Sequence, residues 1–99
     1  MGSVTNLSPE SFLYNAKLHN IIIDIRQDKT ERFLNGVFRF RCDKVFHNCI
    51  DLDTTLPLYI FCENGRKSGQ IARKLATKGH NVYKLRGGYQ AWKRYLKID

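Results

Sequence analysis

Continuous apolar runs alternate with stretches of helical spacing along this chain. "NIIIDIR" (residues 20–26) and "LPLYIFC" (56–62) carry apolar side chains with little polar alternation, which predicts strands buried on both faces. "NVYKL" (81–85) is a further, shorter strand. Between them lie helices. Ser8 is the predicted N-cap and Pro9 the first helical residue of a segment running to about Leu18. "DKTERFLNG" (28–36) reads as a short helix with Asp28 near its positive end and Gly36 closing it. In "SGQIARKLATKG" (68–79), Ile71, Ala72, Leu75 and Ala76 form one stripe, while Arg73, Lys74 and Lys78 face water and Gly79 ends the helix. "RGG" (86–88) is a turn, and "YQAWKRYLK" (89–97) a final helix burying Trp92 and Leu96. The pattern is weaker from 37 to 57, where "VFRFR" alternates as a strand or extended segment and "DKVFHNCIDL" has the look of a short helix.

Strands alternating with helices predict an α/β layer structure with a mainly parallel sheet. Sites in such sheets form beyond the carboxyl ends of the strands. Cys62 ends a predicted strand there.

Composition narrows the function. Ninety-nine residues, 42% hydrophobic and 12% aromatic, suit one compact domain over 1–99. No apolar run reaches the roughly 20 residues of a membrane span, and "MGSVTNLSPES" lacks the basic and apolar regions of a secretion signal, so a soluble, cytoplasmic protein is expected. The formal charge is +8; residues 50–99 carry ten basic against four acidic groups, and residues 1–49 seven against five. That excess attracts small oxyanions, acidic proteins or nucleic acid, although no stacking motif supports nucleic acid. The three cysteines, Cys42, Cys49 and Cys62, are an odd set without tight spacing, which argues against a disulfide scaffold and suits a reducing compartment. A zinc site from Cys42, His47 and Cys49 would lack any C-x-x-C pair, so no metal and no cofactor is expected.

The loop "CENGRKS" (62–68) carries the candidate chemistry. With Gly65 free to take positive φ, a tight strand-to-helix turn can aim successive N–H groups into one concavity, and the helix beginning near Ser68 adds its positive end. Amides, helix dipole and the cations Arg66 and Lys67 all favour a thiolate at Cys62 and would hold an anionic sulfur or oxyanion attached to it. Glu63 opposes them. The alternative for Cys62 is a small buried hydrophobe that only packs.

These residues resemble a known family. "LYIFCENGRKSGQIARKLATKGHNVYKLRGGYQAW" is similar to the second half of a rhodanese domain, a single-domain sulfurtransferase fold whose pattern there is a hydrophobic strand, C-x-x-G-x-x-S, a helix, then V-x-x-L-x-G-G-x-x-A-W. Cys62, Gly65, Ser68, Val82, Leu85, Gly87, Gly88, Ala91 and Trp92 match in register, and "IIIDIR" resembles the family's V-I-D-V-R strand through Asp24 and Arg26. The resemblance is dense from 58 to 92. Glu31, Phe33 and Gly36 stand where the family has an acidic and aromatic pair before G-H-I-P-G-A, but "GVFRFRCDK" lacks those last residues.

The resemblance implies a central sheet of about five strands with helices on both faces. It implies a double displacement through a persulfide on Cys62, from a donor such as thiosulfate to a thiol, protein or cyanide acceptor. Glu63, Asn64, Gly65, Arg66, Lys67 and Ser68 would form the anion-binding loop, with Ser68 capping the helix. Asp24, Arg26, Gly87 and Gly88 would be structural supports, the first two fixing neighbouring loops by hydrogen bonds. Two rivals remain at this level. A cysteine phosphatase or arsenate reductase needs C-x-x-x-x-x-R, whereas Ser68 occupies the arginine's place and Arg66 comes two positions early. A binding module would use the basic surface to dock a protein or serve a tRNA-modifying relay.

Overall fold

The computed structural model describes residues 2–19, 22–25, 38–39 and 53–96. Arg26, Cys42, His47, Cys49, the helix expected over 28–36 and the short helix expected over 43–52 lie outside them.

Within the described residues five strands, β1 (Ser3–Leu7), β2 (Ile22–Asp24), β3 (Phe38–Arg39), β4 (Leu58–Phe61) and β5 (Asn81–Leu85), form one sheet in the order β1-β5-β4-β2-β3. Every pairing is parallel, and β3 is an edge strand of only two residues. Among the described residues three helices accompany the sheet: α1 (Pro9–His19) after β1, α2 (Arg66–Thr77) between β4 and β5, and α3 (Gly88–Leu96) after β5. The α/β fold with a parallel sheet expected from the alternating pattern is the fold observed.

Side-chain alternation along the strands divides the core into two layers. Ile23, Ile25, Leu58, Ile60, Cys62 and Val82 pack with Ile71, Ala72 and Leu75 of α2 on one face. Ile22, Tyr59, Phe61 and Leu85 pack with Phe12 of α1 and with Tyr89 and Trp92 of α3 on the other. The apolar run of β4 thus serves both layers: Leu58, Tyr59, Ile60 and Phe61 are all buried, each apolar side chain contributing about 1.5–3 kcal/mol. Phe12 meets Tyr59 and Phe61 edge-on, and Tyr59 stacks on Tyr83 at 5.0 Å between centroids. Burial, and secondarily Tyr83, pushes the Tyr59 hydroxyl above the ordinary tyrosine range.

The helix boundaries follow local chemistry. Ser8 Oγ accepts the Ser11 N–H at 3.2 Å, the N-cap expected from "SPES". Ahead of β4, Asp53 Oδ1 accepts the Thr55 N–H at 2.9 Å and the Thr55 hydroxyl at 2.8 Å, bonds that hold its carboxyl below the usual range. Gly79 closes α2 at φ 101°. Among the described residues no helix is long and apolar enough to cross a membrane.

Candidate active site at the β4–α2 junction

Parallel pairing puts the carboxyl ends of β1, β4 and β5 on one edge, and each leads into a helix. At the β4–α2 junction Cys62 leaves the strand with its side chain in the α2 layer, 3% exposed. The chain then turns through Glu63 and Asn64 to Gly65, which takes φ 93°, a conformation that costs a side-chain-bearing residue about 1 kcal/mol or more. That turn aims backbone donors at the sulfur. The Gly65 N–H donates to Cys62 Sγ at 3.0 Å and the Ser68 N–H at 3.4 Å. The thiol donates to Ser68 Oγ at 3.3 Å, and the same hydroxyl donates to the Gly65 carbonyl at 3.3 Å.

Two expectations need correction. Helix α2 begins at Arg66, two residues before Ser68, and Gly65 is its N-cap with no side-chain cap bond. Ser68 is therefore not the cap. It is the third helical residue, fully buried, with its hydroxyl directed at the sulfur and the loop. Nor do all the loop amides serve the sulfur, because the Arg66 N–H is taken by Asn64 Oδ1 at 3.1 Å. Asn64 is thus a turn former. Glu63, Asn64, Arg66 and Lys67 are exposed around the sulfur rather than packed on it.

The glycine pair supports this loop more closely than a turn assignment suggests. The Tyr89 N–H donates to the Cys62 carbonyl at 2.8 Å, and the Gln90 N–H to the Glu63 carbonyl at 3.1 Å. The first turn of α3 therefore grips the two peptides that carry the thiol. That approach requires Gly88, where a Cβ would lie 2.5 Å from the Cys62 oxygen and 2.7 Å from the Glu63 oxygen. Gly87 and Gly88 both have positive φ, 76° and 68°. The sole hint of this clamp in the sequence is the glycine pair itself. Asp24, fully buried, ends β2 opposite Phe61, where the Ile25 N–H donates to the Phe61 carbonyl at 3.0 Å. It stands beside the strand that carries the thiol.

Among the described residues no group of three or more histidine, cysteine or acidic side chains is placed to hold a metal. The phosphatase arrangement is not present in the loop: the side chain at the sixth position after Cys62 is a buried serine, and Arg66 is exposed on the helix.

The Rhodanese-like domain family profile matches residues 8–95. Among solved structures, the reduced CoADR-RHD protein of Bacillus anthracis is similar with a TM-score of 0.82 at 20% identity, over 95% of this chain and 17% of that one. A rhodanese-like domain protein of Staphylococcus aureus is similar with a TM-score of 0.74 at 22% identity, over 89% of this chain and 90% of that one. The uncharacterized protein YqhL of Bacillus subtilis is 33% identical over 48 residues, which are 48% of this chain and 38% of YqhL. The matched segment thus spans less than half the length of that curated relative. The profile match covers most of the chain, which belongs to the rhodanese-like domain family, a family that includes sulfurtransferases.

Proposed function

We propose that this rhodanese-like chain is a sulfurtransferase that carries sulfane sulfur as a persulfide on Cys62. One observation carries the reading: the Gly65 and Ser68 amides converge on Cys62 Sγ, with the Ser68 hydroxyl beside them. Backbone donors fixed in this way stabilise negative charge on sulfur without reorganising during the reaction. The Ser68 hydroxyl turns from the Gly65 carbonyl to donate to the sulfur once the thiol proton is gone.

In this reading the Cys62 thiolate attacks the outer sulfur of thiosulfate. The new S–S bond forms as the old one breaks, leaving Cys–S–S⁻ and releasing sulfite, which keeps the bonding electron pair. An acceptor thiolate then attacks the outer sulfur of the persulfide, takes it, and regenerates the Cys62 thiolate; cyanide accepts the same atom as thiocyanate. Arg66 and Lys67, exposed at the start of α2, guide the dianionic donor and offset the charge of the departing sulfite. Glu63 works against them, favouring less highly charged donors. Asn64 keeps the turn in shape, while Gly87 and Gly88 hold the loop from behind. Asp24, buried at the end of β2, supports the neighbouring strand end. Burial of Cys62 limits access to small donors and to narrow acceptors. No metal or cofactor enters the scheme. It needs a reduced thiol, which suits the cytoplasm, and residues 1–99 act in it as one domain.

The test is mass spectrometry after incubation with thiosulfate. The expected result is a gain of one sulfur atom, mapped to Cys62, lost in Cys62→Ser and retained in Cys42→Ser and Cys49→Ser. No adduct, or one that survives Cys62→Ser, overturns the proposal.

A further inference from the structure

Helix α2 carries positive charge along its whole solvent face. Arg66, Lys67, Gln70, Arg73, Lys74, Thr77 and Lys78 are all exposed, at spacings that place them side by side on one surface of the helix. The strip is about 18 Å long at 1.5 Å per residue. From residue 64 to residue 98 the chain contains no aspartate or glutamate. Among the described residues, none of these cations has an ionic partner.

The strip also has a point where two cations converge. Gly69 is buried in α2, and a Cβ there would lie 3.3 Å from Lys84 Nζ and 3.6 Å from Arg73 Nη1. The missing side chain lets an ammonium from β5 and a guanidinium from α2 approach the same point. Two like charges drawn together at the helix surface favour a carboxylate that bridges them from the solvent side. This point is one residue from Ser68, whose amide touches the Cys62 sulfur.

We propose that the outer face of α2 is a docking strip for an acidic protein that presents the acceptor thiol to Cys62, with Arg73 and Lys84 gripping one of its carboxylates. The inference rests on the sulfurtransferase reading for what is delivered, but not for the binding itself. Charge complementarity identifies the occupant as a polyanion. An acidic protein is favoured over nucleic acid because the large exposed aromatic residues, Tyr14 and Tyr95, belong to α1 and α3 on the opposite layer, so no stacking platform borders the strip.

The probe is a synthetic peptide with one cysteine flanked by glutamates, paired with a twin in which glutamines replace them. Sulfur transfer from thiosulfate-loaded protein is expected to be about tenfold faster to the glutamate peptide at low salt, the two rates converging at high salt. Arg73→Gln, Lys74→Gln and Lys78→Gln together erase that difference and leave transfer to 2-mercaptoethanol unchanged. Fluorescence anisotropy with labelled cysteine-to-serine peptides measures docking on unloaded protein. Failure to load sulfur contradicts the sulfurtransferase reading alone, because anisotropy still decides the docking strip. Equal binding of the two peptides, a preference that survives the triple variant, or tighter binding of single-stranded RNA of equal charge at the same salt overturns the proposal.

Discussion

The starts of α1 and α2 solve the same problem in opposite ways. Each helix follows a strand of the same parallel sheet, and each must satisfy the N–H of its third residue. In α1 that amide, Ser11, is accepted by the hydroxyl of the capping residue Ser8, and Glu10 in the first turn complements the helix dipole. In α2 the capping residue is Gly65, which has no side chain to offer, and the third amide, Ser68, is accepted by the sulfur of Cys62. The first turn of α2 holds no acid and begins with Arg66 and Lys67, cations that run against the dipole. The start of α1 is arranged for stability. That of α2 sacrifices some stability to keep donors and positive charge around one sulfur atom. A third start, α3, gives its amides to the carbonyls of the sulfur loop and so acts as the clamp. A helix N-terminus is thus only a potential site; where its amides are spent decides whether it becomes one.

The largest effect that would break this arrangement is expected from Gly88→Ala. Its Cβ would collide with two carbonyl oxygens at a positive φ, so the loss in urea denaturation is expected to be about 3 kcal/mol or more, with sulfur loading abolished. The contrast between the two caps comes next. Ser8→Ala should lower stability by about 1 kcal/mol and leave loading intact. Cys62→Ala should lower it by about 1–3 kcal/mol by orphaning the Gly65 and Ser68 amides, and should abolish loading, whereas Cys62→Ser abolishes loading at smaller cost because oxygen still accepts. Replacing Arg66 and Lys67 together by glutamine should raise stability by about 0.3–1 kcal/mol while slowing loading by thiosulfate, and Glu63→Ala should speed it. A stopped-flow loading assay beside thermal melts separates the two responses.

The smallest effect concerns the aromatic layer. Tyr59 stays neutral in the fold to a higher pH than in the unfolded chain, so its contribution is complete below pH 10.0, the unfolded value, and is lost as pH rises toward its raised folded value. Tyr59→Phe should flatten that alkaline loss of stability without altering loading at neutral pH.

Much of this was legible in the residues. The unbroken apolar run of β4 announced a strand buried twice, and the stripe of Ile71, Ala72 and Leu75 announced which side of α2 faces the sheet. Ser8 and Gly65 acted as their side chains, or the lack of one, require. The start of α2 is not legible in the same way: Arg66 and Lys67 are polar and exposed and add no apolar position to the helical period, which leaves Ser68 as the apparent cap. The grip of α3 on the loop was hidden for a different reason. It joins backbone groups of Cys62 and Glu63 to those of Tyr89 and Gln90, and a backbone bond across that separation leaves no side-chain signature except Gly88. The positively charged face of α2 was visible as composition, but its convergence with Lys84 over Gly69 depends on the register of β5.

The central claim is that the Gly65 and Ser68 amides hold the charge of the sulfur carried on Cys62. The most direct measurement is an amide ¹H–¹⁵N spectrum of the labelled protein before and after loading with thiosulfate, with the mass gain checked on the same sample. The account predicts that Gly65 and Ser68 show the largest shifts while Ser11, the equivalent amide of α1, stays in place. A loaded sample in which those two resonances do not move would contradict it.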